Sequence, residues 1–246
     1  MSDILSLKFS NNEITEKRET VSKLLLEKSG NIKSKTISTI STSDLKLLFL
    51  LYDRIFLNNW FRDNYKGNLK FSLSRQMTKS AGLTRCPKNI NTIKPEEVTI
   101  EIKIGVDFFF HYDLIEGSKT VGGVITESSL EALQLVFEHE LCHVIEFILF
   151  FKSDCSKERF KKIAGNLFGH TESCHKLPTR REIVSQKFGL RIGDRVSFLI
   201  EGKRLDGVIY AINKRATVMV RDKDGIFQDS NGKRYSKYYV PLELLR

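Results

Sequence analysis

Residues 130–146 read Leu-Glu-Ala-Leu-Gln-Leu-Val-Phe-Glu-His-Glu-Leu-Cys-His-Val-Ile-Glu, and this stretch decides the fold. Its apolar residues recur at helical spacing: Leu130, Leu133, Phe137, Leu141, Val144 and Ile148 form one stripe. Val136, His139, Glu140, His143 and Phe147 form a neighbouring stripe. Ser128 with Glu131 is a capping box, so a helix is predicted from Ser128 to about Phe151. The first stripe anchors it in a core, and the second is expected to line a cleft. Positions i and i+4 share a helix face, so His139 and His143 can reach one metal ion. Glu140 lies beside them, placed to act as general base on a water acidified by that metal. Cys142 points away from the metal stripe.

Working outward, Asp44–Trp60 repeats Leu45, Leu48, Phe49, Tyr52, Ile55 and Phe56 at helical spacing. Asn68–Ser74 and Val98–Ile104 alternate apolar and polar residues and read as strands, with a polar loop from Arg75 to Pro95 between them. A second helix is predicted from Lys157 to Leu167, stopping near Gly169. Residues 1–43 read as an accessory segment, a charged helix over Glu13–Lys28 and a Ser/Thr-rich linker over Ser34–Ser43. From Arg191 the texture changes to short β-rich runs at 196–200, 205–212, 216–221 and 233–240, split by glycines. These predict a small antiparallel barrel at 189–246, joined by a linker at 178–188. The fold class expected is therefore α+β, with a body at 44–177 and the barrel after it.

The chain has 246 residues and a formal charge of +10, distributed unevenly. Residues 1–151 carry 19 Lys+Arg and 19 Asp+Glu, whereas residues 152–246 carry 21 and 11. A neutral body with a basic end points to an anionic partner. Lys157, Lys161 and Lys162 crowd the helix after the motif; Lys203, Arg204, Lys214, Arg215, Arg234 and Lys237 follow in the barrel, with Tyr238 among its interleaved aromatics. Cations for phosphates and rings for exposed bases suit single-stranded or distorted DNA. No secretory signal or spanning helix is visible, and the four cysteines form no Cys-x-x-Cys pair. A cytoplasmic or nuclear monomer without membrane association is expected.

The motif helix, with Leu51–Phe56, Ser74–Gly82, Phe160–Ala164 and Phe168–Thr171, resembles the SprT-like (Spartan-type) metalloprotease family over about residues 44–177. The resemblance implies a zincin-like fold and a zinc endopeptidase that binds DNA and degrades proteins crosslinked to it. It implies Zn²⁺ on His139 and His143, with Glu140 as catalytic base. The family's third ligand is a His in a His-Gly pair, and that region here reads Ser153-Asp154-Cys155-Ser156. Alignment places Cys155 or Ser156 at that position. Cys155 is a competent ligand, His170 is the alternative, and a site with no third protein ligand stays open. His175 reads as a loop or helix-end residue. A zinc ribbon present in some members is absent, so DNA contact falls to a barrel of SH3-like texture. The rival reading is a non-catalytic nucleic-acid-binding adaptor that keeps the fold and has lost the metal.

Overall fold

The computed structural model describes residues 4–213 and 215–246, and it divides into two units between Leu177 and Pro178. The first runs, in chain order, through helices α1 (Asn11–Lys28), α2 (Thr42–Ile55) and α3 (Trp60–Asn64), then strands β1 (Asn68–Ser74), β2 (Gly82–Arg85) and β3 (Thr99–Gly105). Helix α4 (Asp107–Phe110), strands β4 (Lys119–Val121) and β5 (Val124–Thr126), helices α5 (Ser129–Phe150) and α6 (Glu158–Phe168), and strand β6 (His175–Lys176) complete it. No helix among the described residues is long and apolar enough to cross a membrane.

Strand β3 is central, with β1 parallel on one side and β2 antiparallel on the other, so β2 is an edge. The period-2 pattern of β3 puts Ile100, Ile102 and Ile104 into the core, while Glu101 and Lys103 face away and approach to 3.8 Å. Helix α5 packs against this core, and Phe137 comes within 6.3 Å of the Phe71 ring of β1. Tyr52, Phe56 and Phe168 close the aromatic centre. Helix α5 is buried along nearly its whole circumference, not on one stripe. His139 and Glu140 lie inside that burial.

Several sequence expectations change. Residues 4–43 are no accessory segment: Ile14, Val21 and Leu25 of α1 and Ile32 and Ile37 after it belong to the core. The supposed linker caps α5, since the backbone N–H of Leu130 donates to the Lys35 carbonyl and Ser129 Oγ accepts from Ile37 N–H. Ser128 Oγ accepts from the Glu131 N–H as the capping box requires, but Glu131 reaches back to the Glu127 N–H. Helix α2 ends at Ile55 because Asn58 and Asn59 adopt positive φ, and Asp53 then caps α3 through the Phe61 and Arg62 N–H groups. The polar loop contains β2, and the expected linker at 178–188 contains a capped helix, α7 (Arg180–Phe188).

The second unit places α7 before strands β7 (Arg195–Ile200), β8 (Lys203–Ile212), β9 (Ala216–Arg221), β10 (Phe227–Gln228) and β11 (Arg234–Val240). They form one antiparallel sheet in the order β10-β11-β9-β8-β7. Its inner face buries Val196, Phe198, Ile209, Val218 and Val240, with Val184 of α7. The expected small barrel does not close among the described residues: the strands form a ladder with β10 and β7 at its two ends. A short 3-10 turn at Leu242–Leu244 brings Arg246 back to β7, where it exchanges two backbone hydrogen bonds with Ser197.

Candidate metal centre

One turn of α5 puts His139 and His143 side by side, with their Nε2 atoms 3.2 Å apart. The loop after α5 returns Cys155 to them, so the two imidazoles and the thiol offer ligand atoms within 4.8 Å of one another. These three residues could hold a metal ion. Two imidazole nitrogens at about 2.0–2.1 Å from a tetrahedral centre lie roughly 3.3–3.4 Å apart, close to the 3.2 Å between the two Nε2 atoms. Burial and the neighbouring imidazoles of His175 and His143 hold His139 down to about 2, and burial holds His143 down to about 4. Both rings are therefore neutral near pH 7, the form that binds metal. Phe160 of α6 packs on both, with ring centroids 4.8 and 4.6 Å away.

Side chains outside the motif orient the ligands. Ser153 Oγ donates its one proton to Glu146 Oε2 at 2.6 Å, so it must accept from His143 Nδ1–H, also at 2.6 Å. That assigns the His143 tautomer and leaves the Nε2 lone pair facing His139. Glu146 is held in turn by Arg159 Nε at 2.6 Å and the Asp154 N–H at 3.1 Å. His139 Nδ1 is buried and has no partner. The donor set of two neutral imidazoles and a thiol, with the His143 tautomer prearranged, could hold a metal ion.

Glu140 turns toward β2. Thr84 Oγ1 donates to its Oε2 at 2.7 Å, and its Oε1 lies over Gly82, where a Cβ would come within 2.4 Å. Burial, set against the Thr84 hydrogen bonds, raises the Glu140 carboxyl to about 7. No family model, curated protein or solved structure matches this chain.

His170, the alternative ligand, is engaged elsewhere: its Nε2 lies 2.9 Å from Glu138 Oε2. Glu138 is fully buried and also bound by Arg18 Nε and Nη2, at 2.8 and 2.6 Å, and by Tyr52 Oη at 2.7 Å. Burial would raise this carboxyl, but the Arg18 guanidinium outweighs it and holds it below its ordinary range. His175 is a site neighbour that sequence reading missed. Gly122 and Gly123, both at positive φ, form the β4–β5 turn, and β6 pairs with β4 through Val121 and His175. This pairing brings the His175 ring within 4.8 Å of the His139 ring.

The residues expected to contact nucleic acid are scattered. Lys157, Lys161 and Lys162 are exposed on the first unit, Lys161 being 3.3 Å from Glu158. In the second unit Lys203, Arg204, Arg215 and Arg234 are exposed, and Lys237 Nζ sits 3.9 Å from the centre of the Phe227 ring. Lys214 lies outside the described residues. Tyr238 alternates inward and packs against the core residue Phe198 at 5.6 Å, which leaves it half-buried.

Proposed function

We propose that the chain is a zinc-dependent endopeptidase of SprT-like type, in which a zincin-like first unit cuts proteins associated with DNA and the β-rich second unit holds the nucleic acid. The observation that carries this is the meeting of His139, His143 and Cys155 at the helix that also carries Glu140, whose carboxylate is held against an edge strand. Two imidazoles and a thiolate suit Zn²⁺, and three protein donors leave a coordination position open. When bound, the ion supplies Lewis-acid polarisation of a peptide carbonyl and acidification of a water.

The chain's own groups do the rest. Glu140, held through Oε2 by Thr84, is the group that would take a proton from water and pass it to the leaving amine. Ser153 keeps His143 in the ligating tautomer. The free side of β2 offers backbone groups that an extended substrate segment can pair with, alongside Glu140. The DNA association is supported by the family resemblance and by the basic excess of residues 152–246.

Purified protein is expected to hold about one zinc per chain, lost in His139→Ala and weakened in Cys155→Ser. Glu140→Gln is expected to keep the zinc and abolish cleavage of an unfolded protein substrate. A chain that binds no zinc under metal-replete conditions would support the adaptor reading instead. Cleavage that persists in Glu140→Gln would remove that residue from the mechanism.

A further inference from the structure

The outward face of the second unit's sheet carries a feature that the sequence did not single out. Arg195 of β7, Arg204 of β8 and Arg221 of β9 converge with Arg246 on a hollow of about 570 Å³, floored by Val208 and Met219 and flanked by Tyr235. The strand register explains the gathering: Arg195 pairs with Val208, Val208 with Met219, and Arg221 with Tyr235. Adjacent strands lie about 4.8 Å apart, so three strands place guanidinium groups within about 10 Å across the sheet. Only one carboxylate, that of Asp206, lines the hollow. It lies 3.7 Å from Arg204 with both side chains exposed, a geometry that neutralises little. Among the described residues no hydrogen bond or ion pair engages the guanidinium of Arg195 or Arg221.

Beside these unspent cations are uncovered rings. On β11, Tyr238 and Val240 face the core, so Tyr235, Lys237 and Tyr239 face outward. Tyr239 is 64% exposed. Tyr210, the extra residue in the bulge between β8 and β9, is 66% exposed. Acidic peptides can occupy arginine forks, but they supply no flat partner for such rings. Exposed bases do, and their phosphates match the planar forks.

We propose that this face binds single-stranded nucleic acid, with phosphates in the arginine hollow and bases against Tyr235 and Tyr239. The proposal deepens the DNA association above and uses none of the metal ligands. Glu140→Gln is therefore expected to bind as wild type does, and absence of proteolysis in a chain that still binds would leave this proposal standing.

The test uses the full chain and a fluorescent fifteen-nucleotide oligo(dT), with anisotropy read across a salt series. R195Q and R221Q are each expected to weaken binding several-fold and to flatten the slope of log K against log salt by about 0.7, the value of one lost phosphate contact on a single strand. Tyr239→Ala is expected to weaken binding about five-fold or more with the slope unchanged, and Tyr239→Phe to restore it. K187Q, an equal charge loss on α7, is the control expected to stay near wild type. Equal effects of K187Q and R221Q would reduce the site to net charge and overturn the proposal. So would tighter binding of a poly-glutamate peptide with the same arginine dependence, or equal binding of a duplex with no effect of Tyr239→Ala.

Discussion

Ser153 has a single hydroxyl proton, and giving it to Glu146 decides which nitrogen of His143 faces the ligand cluster. Ser153→Ala removes that constraint without touching a ligand. Its zinc affinity, measured by competition with a chromogenic chelator, is expected to fall about 10–100-fold. Gly82 acts at the same scale. An alanine methyl there would meet Glu140 Oε1 at 2.4 Å, so Gly82→Ala is expected to displace the carboxylate. The expected result is at least a ten-fold loss of turnover, about 1.4 kcal/mol or more at the barrier, with zinc content unchanged. The His-Glu-x-x-His turn was legible because helical geometry alone brings residues 139 and 143 together. Ser153, Gly82, Thr84 and His175 were not, because each reaches the site through a loop return or a strand pairing that no local pattern encodes.

At the scale of elements, α1 is tied to α5 by a buried ion pair, Arg18 with Glu138. Arg18→Ala leaves a fully buried carboxylate without its cation, and an expected loss of about 3–5 kcal/mol in unfolding free energy is measurable by urea denaturation. The junction of α1 and α2 gives a pH dependence. Burial would raise the Asp44 carboxyl, but hydrogen bonds from Ser29, Ser41 and Asn31 outweigh it and hold Asp44 below its ordinary range. A depressed carboxyl stabilises the fold fully above its unfolded pKa of about 3.9, and the contribution disappears as pH falls through the folded value. Stability curves from pH 6 to pH 2 should therefore decline less steeply in Asp44→Asn than in wild type. The apolar stripe of α1 is too narrow to announce a core helix, and the Arg18–Glu138 tie that joins it to α5 is polar and remote in sequence. Strand β2 escaped notice because Gly-Leu-Thr-Arg is too short to show alternation. Helix α7 escaped because its inward face is only one turn long, Val184 and Phe188.

Across the whole molecule, the charge follows the division into units. Residues 1–177 carry a net +3 and residues 178–246 a net +7. Calorimetry is expected to resolve two transitions, and a chelator should lower only the one belonging to the unit that holds the ligands, because binding to the folded form alone raises stability. In His139→Ala the chelator should have no effect on either transition. The small α+β body and the β-rich end were visible as a change of texture near residue 190, since periodicity 3.6 gives way to periodicity 2 there. The open ladder was not visible, because edge pairing is settled by curvature.

The tie at Glu138 also sets an order of events during synthesis. Its carboxylate is closed by residue 18 on one side and residue 170 on the other. A growing chain presents the arginine long before its acceptor, and the histidine only after the motif helix has left the ribosome. Glu138, the neighbour of His139, therefore gains its last partner only after both histidines of the motif have been made.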